Sequence, residues 1–448
     1  MRGTFTNRNN ALHRQRRIAG WVMLLTAWLA ILWFLSPGIP VLWGPWASAA
    51  TKEAGRGLFE HEWTANDPLA HGDGLGPVYN AKACVACHFQ GGVGGAGDSA
   101  HNVHNYEALP TARDAQLHSG TVHAAATDPA LKESFDLVRR RFPVVKGGIR
   151  VQDGCSYKVS DFDPVRAATV QPTALFGAGW IDRISPKAIT SSHMTQMVKN
   201  TVKELDLDFS AIPPGKVRHL PDGRVGKFGW KAQFATLEEF VAAACANELG
   251  LGTPVAEQVK PFARPDAAAV PADLDKTQFK QLVAFVDTLP KPVEAVPDDP
   301  AGRTAAARGK EVFGAVGCAL CHVPDMGGVK GVYSDFLLHA IDDPRSGGGY
   351  GPEAQPDVPV PDDVPKANEW RTPPLWGVAD SAPYLHDGSA RTLRDAITRH
   401  GGDAKAVTQA FEKLPKADQD AVLAFLRTLK APPDAMPVGK AVAMTGKR

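Results

Sequence analysis

The sequence predicts a mainly α protein with two similar domains in tandem, the first enlarged by a large, loop-rich insertion. Three observations predict it. The pattern C-x-x-C-H occurs twice, as Cys84-Val-Ala-Cys87-His88 and Cys318-Ala-Leu-Cys321-His322; the blocks around the two copies repeat in the same order; and a proline-rich acidic stretch, Pro290 to Pro300, separates them. The chain of 448 residues, 44% of them hydrophobic, is long enough for two or three ordinary domains. Its 43 Gly and 36 Pro suit short helices joined by many loops. A net charge of +1 argues against a nucleic-acid partner.

The repeated pentapeptide carries the chemistry. Two thiols three positions apart form thioethers to the two vinyl groups of one porphyrin, and the next residue turns its imidazole to the iron; C-x-x-C-H is the attachment signature of a c-type haem. The two copies use four of the six cysteines. A zinc site would need further paired ligands near each copy to close a tetrahedron, and a redox C-x-x-C would not ask for His after each. The expectation is two covalently bound haem c groups, held by Cys84, Cys87, His88, Cys318, Cys321 and His322, with His88 and His322 as iron ligands. Short helices around a large apolar cofactor imply two cytochrome c-like domains.

From the amino terminus, Arg2, Arg8, Arg14, Arg16 and Arg17 precede an apolar run from Ile18 to Leu35, and no acidic residue comes before Glu53. Residues 1–49 therefore read as a signal peptide with a cleavage site at Ala47-Ser48-Ala49, or as a membrane anchor through residues 18–35. Either exports the body of the protein, in the expected case to a bacterial periplasm. In that oxidising compartment Cys155 and Cys245 form a disulfide or remain two separate buried thiols.

The first haem domain is expected over 51–290, with the insertion over about 100–225, a linker over 291–300, the second domain over 301–432 and a tail over 433–448. Arg56-Gly57-Leu58-Phe59 and Arg308-Gly309-Lys310-Glu311-Val312-Phe313 open corresponding helices. Pro172-Thr173-Ala174-Leu175-Phe176-Gly177 pairs with Thr372-Pro373-Pro374-Leu375-Trp376-Gly377. Thr236-Leu237-Glu238-Glu239 and Thr392-Leu393-Arg394-Asp395 each start a helix with a capping box. Leu282 to Leu289 and Val422 to Leu429 are apolar at helical spacing and predict the closing helices, which cross the opening ones. The run Gly91-Gly92-Val93-Gly94-Gly95 reads as a flexible loop beside the first haem.

Asp73-Gly74-Leu75-Gly76-Pro77, Phe228-Gly229-Trp230-Lys231-Ala232, Ala382-Pro383-Tyr384-Leu385-His386-Asp387-Gly388 and His400-Gly401-Gly402 resemble the di-haem oxidoreductase family, whose members are also labelled peroxidases or thiol oxidoreductases. The family is related to the bacterial dihaem cytochrome c peroxidases, and the resemblance covers nearly all of the exported chain. It implies an exported haem-dependent oxidoreductase, peroxidase-like, that meets a small periplasmic electron donor or acceptor protein and either peroxide or an oxidisable substrate. Rival readings are a non-enzymatic electron-transfer dihaem cytochrome c and haem-dependent oxidation of a protein or organic substrate.

The resemblance also implies an asymmetry. In the related peroxidases the Thr-capped helix supplies the distal ligand of the second haem, and the matching position here is His400, eight residues after Thr392. Eight after Thr236 is Ala244, which has no ligating atom, so the first haem is five-coordinate or closed by a loop residue such as His101 or His104. Glu238 and Trp230 fall at the spacing of the acid–base Glu and the Trp of those peroxidases. Lys231 departs from their pattern and is assigned to a haem propionate or an acidic substrate. His386 is expected beside a haem edge; His339 has a family-like setting; Trp63, Trp180, Trp230 and Trp376 are candidate electron bridges.

Overall fold

The computed structural model describes residues 46–152, 155–205, 212–341 and 364–439. The expected signal or anchor run, 18–35, and the last part of the tail lie outside them. No helix among the described residues is long and apolar enough to cross a membrane. Helices take 35% of the chain and strands 14%, so the expectation of a mainly α protein is corrected to a helical scaffold that carries small sheets.

The scaffold consists of two helix pairs. Ala49–Glu60 starts where the Ser48 hydroxyl accepts from Thr51 N at 3.1 Å, and it buries Gly55, Leu58 and Phe59. That face lies across Lys276–Asp287, which a capping box of Asp275 and Gln278 begins. The crossing is close because Gly55 has no side chain: a Cβ there would stand 2.0 Å from Gln281 O. Phe59 then meets Phe285 with ring centroids 5.2 Å apart.

The second half repeats this arrangement. Pro300–Val316, capped by Asp299 with Pro at its start, crosses Lys416–Leu426. A Cβ on Gly309 would lie 1.9 Å from Ala421 O, and Phe313 meets Phe425 at 5.4 Å. The glycine that corresponds to Gly309 is thus Gly55, four residues before the aromatic in each case; Gly57 faces open space.

The halves share apolar packing. Met326, Val329, Val332, Phe336, Leu337 and Trp376 belong to the same buried cluster as Phe59, Phe279 and Phe285, whereas Val312, Phe313, Phe411, Val422 and Phe425 form a smaller one. At the seam, Trp376 rests on Gly177, where a Cβ would come 2.7 Å from the indole.

The expected loop-rich insertion contains a sheet. Val103–Ala108 is the central strand of three antiparallel ones, flanked by His118–Val122 and Val165–Val170. Tyr106, Ala108, Val122, Val138 and Val165 give it a core of its own. Gly148–Gln152 and Cys155–Val159 form a separate hairpin. Cys155 is exposed on it while Cys245 is buried, and both thiols are free: of the two expectations the separate thiols hold, with Cys155 exposed rather than buried.

Candidate haem sites

In the second half, Pro300–Val316 ends at Gly317, whose left-handed φ of 105° turns the chain directly into Cys318-Ala-Leu-Cys321-His322. His322 Nδ1 lies 3.1 Å from Tyr333 O. A carbonyl only accepts, so Nδ1 carries the proton and Nε2 keeps its lone pair, the tautomer a metal-ligating imidazole needs. Burial pushes its pKa down to about 4, which keeps the ring neutral.

His400 is arranged in the same way: Nδ1 donates to Ala396 O at 2.6 Å, leaving Nε2 free, and burial lowers its pKa. The helix Leu393–Thr398 is shorter than the sequence suggests, and His400 stands just beyond its end rather than within it. It is not a surface residue. His322 and His400 line one largely apolar cavity of about 310 Å³ together with Cys318, Cys321, Phe313 and Phe411. They are near enough that charge on His400 opposes charge on His322. Two imidazoles with free Nε2 lone pairs, lining one apolar cavity beside two thiols, fit a haem that His322 and His400 would hold.

The first site shares the proximal geometry. His88 Nδ1 lies 3.2 Å from Gly95 O, burial pushes its pKa down to about 4, and Phe59 stands 6.4 Å from its ring, as Phe313 does from His322. The glycine run that supplies this carbonyl is a tight buried turn rather than a flexible loop. Gly94 has φ +93° against Leu289, and a Cβ on Gly95 would stand 1.7 Å from Gln90 O.

The other side of the first site differs. Leu237–Ala244 starts with the expected capping box, in which Thr236 Oγ1 accepts from Glu239 N at 3.2 Å and Glu239 reaches back to Thr236 N. Ala244 ends the helix, and the chain continues as a π-turn, Cys245–Leu249, closed by Gly250 at φ +63°. Of the two loop histidines, His104 sits on the sheet, exposed and bonded to Thr169 Oγ1 at 3.2 Å. His101 instead donates Nδ1 to Asp98 at 2.8 Å, packs edge-on to Phe89, and lies close enough to His88 for the two to interact electrostatically.

Glu238, the expected acid–base residue, is exposed on the first turn of its helix. A half-buried acid stands elsewhere: Glu248, in the π-turn, one turn beyond Ala244. It accepts from Asn80 Nδ2 at 2.8 Å, burial raises its pKa, and its charge acts on the Cys87 thiol.

Between the halves, Trp230 donates Nε1 to Gln171 O at 2.9 Å and faces His386 edge-on at 6.4 Å. His386 stacks on Trp370 at 3.7 Å and lines the same cavity as His322. Lys231 is not available to a propionate or substrate. Its ammonium donates to the carbonyls of Lys366, Ala367 and Glu369 at 2.8, 2.7 and 2.6 Å and lies 3.8 Å over Trp370. His339 is buried, bonds Asp335 at 2.9 Å and stands 3.8 Å from Cys321 Sγ. Trp180 and Trp376 flank Lys291 at 6.0 and 5.9 Å, and Trp63 is buried against His61.

No curated protein sequence matches this chain. Among solved structures, it is similar to hydrazine synthase of Kuenenia stuttgartiensis at 13% identity, with 88% of this chain and 98% of that one covered and a TM-score of 0.34. A MauG-like protein associated with microbial copper homeostasis matches at 17% identity, over 55% and 90%, with a TM-score of 0.29. A variant of the diheme peroxidase BthA from Burkholderia thailandensis matches at 19%, over 34% and 50%, with a TM-score of 0.24. Residues 265–429, which include the second C-x-x-C-H and His400, match the family described as di-haem oxidoreductase, putative peroxidase, the family that the motifs resemble.

Proposed function

We propose that this chain is an exported dihaem c-type oxidoreductase of peroxidase type. It would work in the periplasm, by cleavage of residues 1–49 or anchored through 18–35, and take electrons from a small donor protein. The observation that carries the reading is the asymmetry of the repeat: His322 and His400 line one apolar cavity, whereas Ala244 stands at the matching point of the first half with half-buried Glu248 one turn on. When bound, a haem closed by two protein ligands passes electrons, and one with an exchangeable position reacts with peroxide.

The chain's own residues divide the work accordingly. Cys318 and Cys321 attach the second group, and His322 and His400 close it. Cys84 and Cys87 would attach the first, His88 would ligate it, and His101, at the end of the one-turn helix Ser99–His101, would be its displaceable second ligand. Glu248 holds a proton at its carboxylate beside the first site, where peroxide cleavage needs a general acid–base group. Asn80 orients that carboxylate. The opposite direction of electron flow would serve oxidation of a protein or organic substrate at the same site.

The placement of His101 beside His88 favours a second reading, an electron-transfer cytochrome with both groups closed. Peroxide turnover by the purified dihaem protein separates the two. On the first reading Glu248→Gln lowers turnover by about 100-fold or more, the range of general acid–base catalysis, and Glu238→Gln leaves it unchanged. Full turnover in Glu248→Gln rejects the assignment, and no turnover in the unaltered protein favours the cytochrome.

A further inference from the structure

Beside the second attachment motif lies a buried ring that the haem ligands do not account for. His339, on the strand Leu338–Ala340, has a side chain 3% exposed and lines the same cavity as His322. Its Nε2 lies 2.9 Å from Asp335 Oδ2, while its Nδ1 lies 3.8 Å from Cys321 Sγ and 3.9 Å from Asp403 Oδ2. A carboxylate only accepts, so Nε2 carries a proton. Once Cys321 is bound as a thioether its sulfur has no proton to give, and both groups facing Nδ1 are then acceptors. Nδ1 therefore carries a proton as well, and the ring is an imidazolium. Burial alone would lower its pKa, but the charge and the hydrogen bond of Asp335 outweigh this and hold it well above the ordinary imidazole value.

The surroundings keep that charge in place. Asp335 is fully buried and also accepts from Gln196 Nε2 at 2.8 Å and from Leu337 N at 3.0 Å. Gln196 belongs to the helix Pro186–Leu205 of the insertion. It donates as well to Leu320 O, between the two attachment cysteines, at 3.0 Å, and accepts from Gly215 N at 2.9 Å. Gly215 closes over the ring: a Cβ there would stand 2.5 Å from His339 Nε2. Arg371, buried on the paired strand, is near enough to Asp335 for the two charges to interact. Cys321, Asp335 and His339 are also grouped closely enough to hold a metal ion, but thioether formation takes the thiolate that such a site needs.

We propose that His339 is a positioning residue that sets the potential of the second haem: a buried cation, held against the Cys321 sulfur by Asp335, it favours the reduced form. This rests on the second site as a closed haem that passes electrons. A fixed positive charge attracts an added electron, and more strongly where water is excluded. No bond forms or breaks; the electron comes from the donor protein, and His339 keeps both protons. The insertion would thereby act on the second haem as well, through Gln196 and Gly215.

The test is a spectroelectrochemical titration of the full-length dihaem protein, which needs no turnover. The second haem's midpoint is the one missing from the Cys318→Ala/Cys321→Ala variant. His339→Gln keeps a hydrogen-bonding side chain and loses the charge. It is expected to shift the second haem about tenfold toward the oxidised form at fixed potential, a midpoint lower by about 59 mV for one electron. His339→Lys should restore the midpoint, and the first haem's should stay in place throughout. A merely structural His339 would lower the thermal midpoint and leave the reduction midpoint unmoved, and that outcome overturns the proposal; so does a fall that His339→Lys shares. If His339→Gln fails to take up haem, His339→Lys and His339→Met, alike in length and unlike in charge, decide: equal midpoints overturn the proposal. A protein with no low-spin haem at the second motif removes the closed-site reading and this inference with it, whereas a low-spin haem unmoved by His339→Gln removes only the inference.

Discussion

The two C-x-x-C-H regions share their foundations and differ in what faces them. Each has a helix crossing made close by one glycine, Gly55 or Gly309, an aromatic four residues later, Phe59 or Phe313, and a His whose Nδ1 is tied to a carbonyl. Packing and tautomer control are therefore common to both. The difference lies where the Thr-capped helix ends: at His400 the chain leaves the helix, and after Ala244 it widens into a π-turn that brings in Glu248. One turn of backbone, together with the insertion behind it, sets the two otherwise similar halves apart. π-Turns of this kind occur often at functional sites.

The comparison can be broken most severely at its foundations. Replacing both Cys84 and Cys87 with Ala is expected to remove one of two haems, and replacing Cys318 and Cys321 the other, with a pyridine haemochrome assay reading the ratio of haem to protein. An unchanged ratio in either would refute covalent attachment at that motif. Next in size are the crossings. Phe313→Ala and Phe59→Ala should each cost about 3–5 kcal/mol, as for aromatic truncations in packed cores. Gly309→Ala and Gly55→Ala should each cost about 1–3 kcal/mol or more, because the backbones must part. Denaturant unfolding measures both, and a variant as stable as the parent at either glycine would show that the crossing is loose.

The ligand assignments sharpen the comparison. His400→Ala is expected to convert the second haem from low to high spin and leave the first unaltered, whereas His101→Ala should alter only the first; His104→Ala should change neither spectrum. An unaltered spectrum in His400→Ala would refute its assignment. The smallest effect is expected at Lys231. Lys231→Met removes three carbonyl contacts and a cation–π contact worth about 0.5–2 kcal/mol. Stability should fall without a change in peroxide turnover, and a selective loss of turnover would return Lys231 to the site.

Much of this was legible in the sequence because it rests on local chemistry. The two pentapeptides, the capping boxes at Thr236 and Thr392, the closing helices and the contrast of His400 with Ala244 follow from spacing and resemblance. What was misread depended on tertiary context. Glu238 lies at a suggestive spacing, but the box that turns Glu239 back to Thr236 leaves Glu238 facing solvent. Glu248 escaped because the π-turn shifts the helical register from which such positions are counted. The insertion reads as loop by composition, although from Asn105 to Ala108 half-buried and buried residues alternate, Tyr106 and Ala108 being buried next to half-buried Asn105 and Glu107, the period a strand shows. The Gly91 to Gly95 run looked like a linker by composition, and only its contacts make it a tight turn.

The central claim is that the two haems are unequal, the His322/His400 one closed and the His88 one able to exchange its outer ligand. An EPR titration of the purified dihaem protein with azide tests it most directly. One haem signal should shift as azide binds while a low-spin signal of equal weight stays constant, and the responsive signal should be missing from the Cys84→Ala/Cys87→Ala variant. Two signals that respond alike, or two that both stay fixed, would contradict the account.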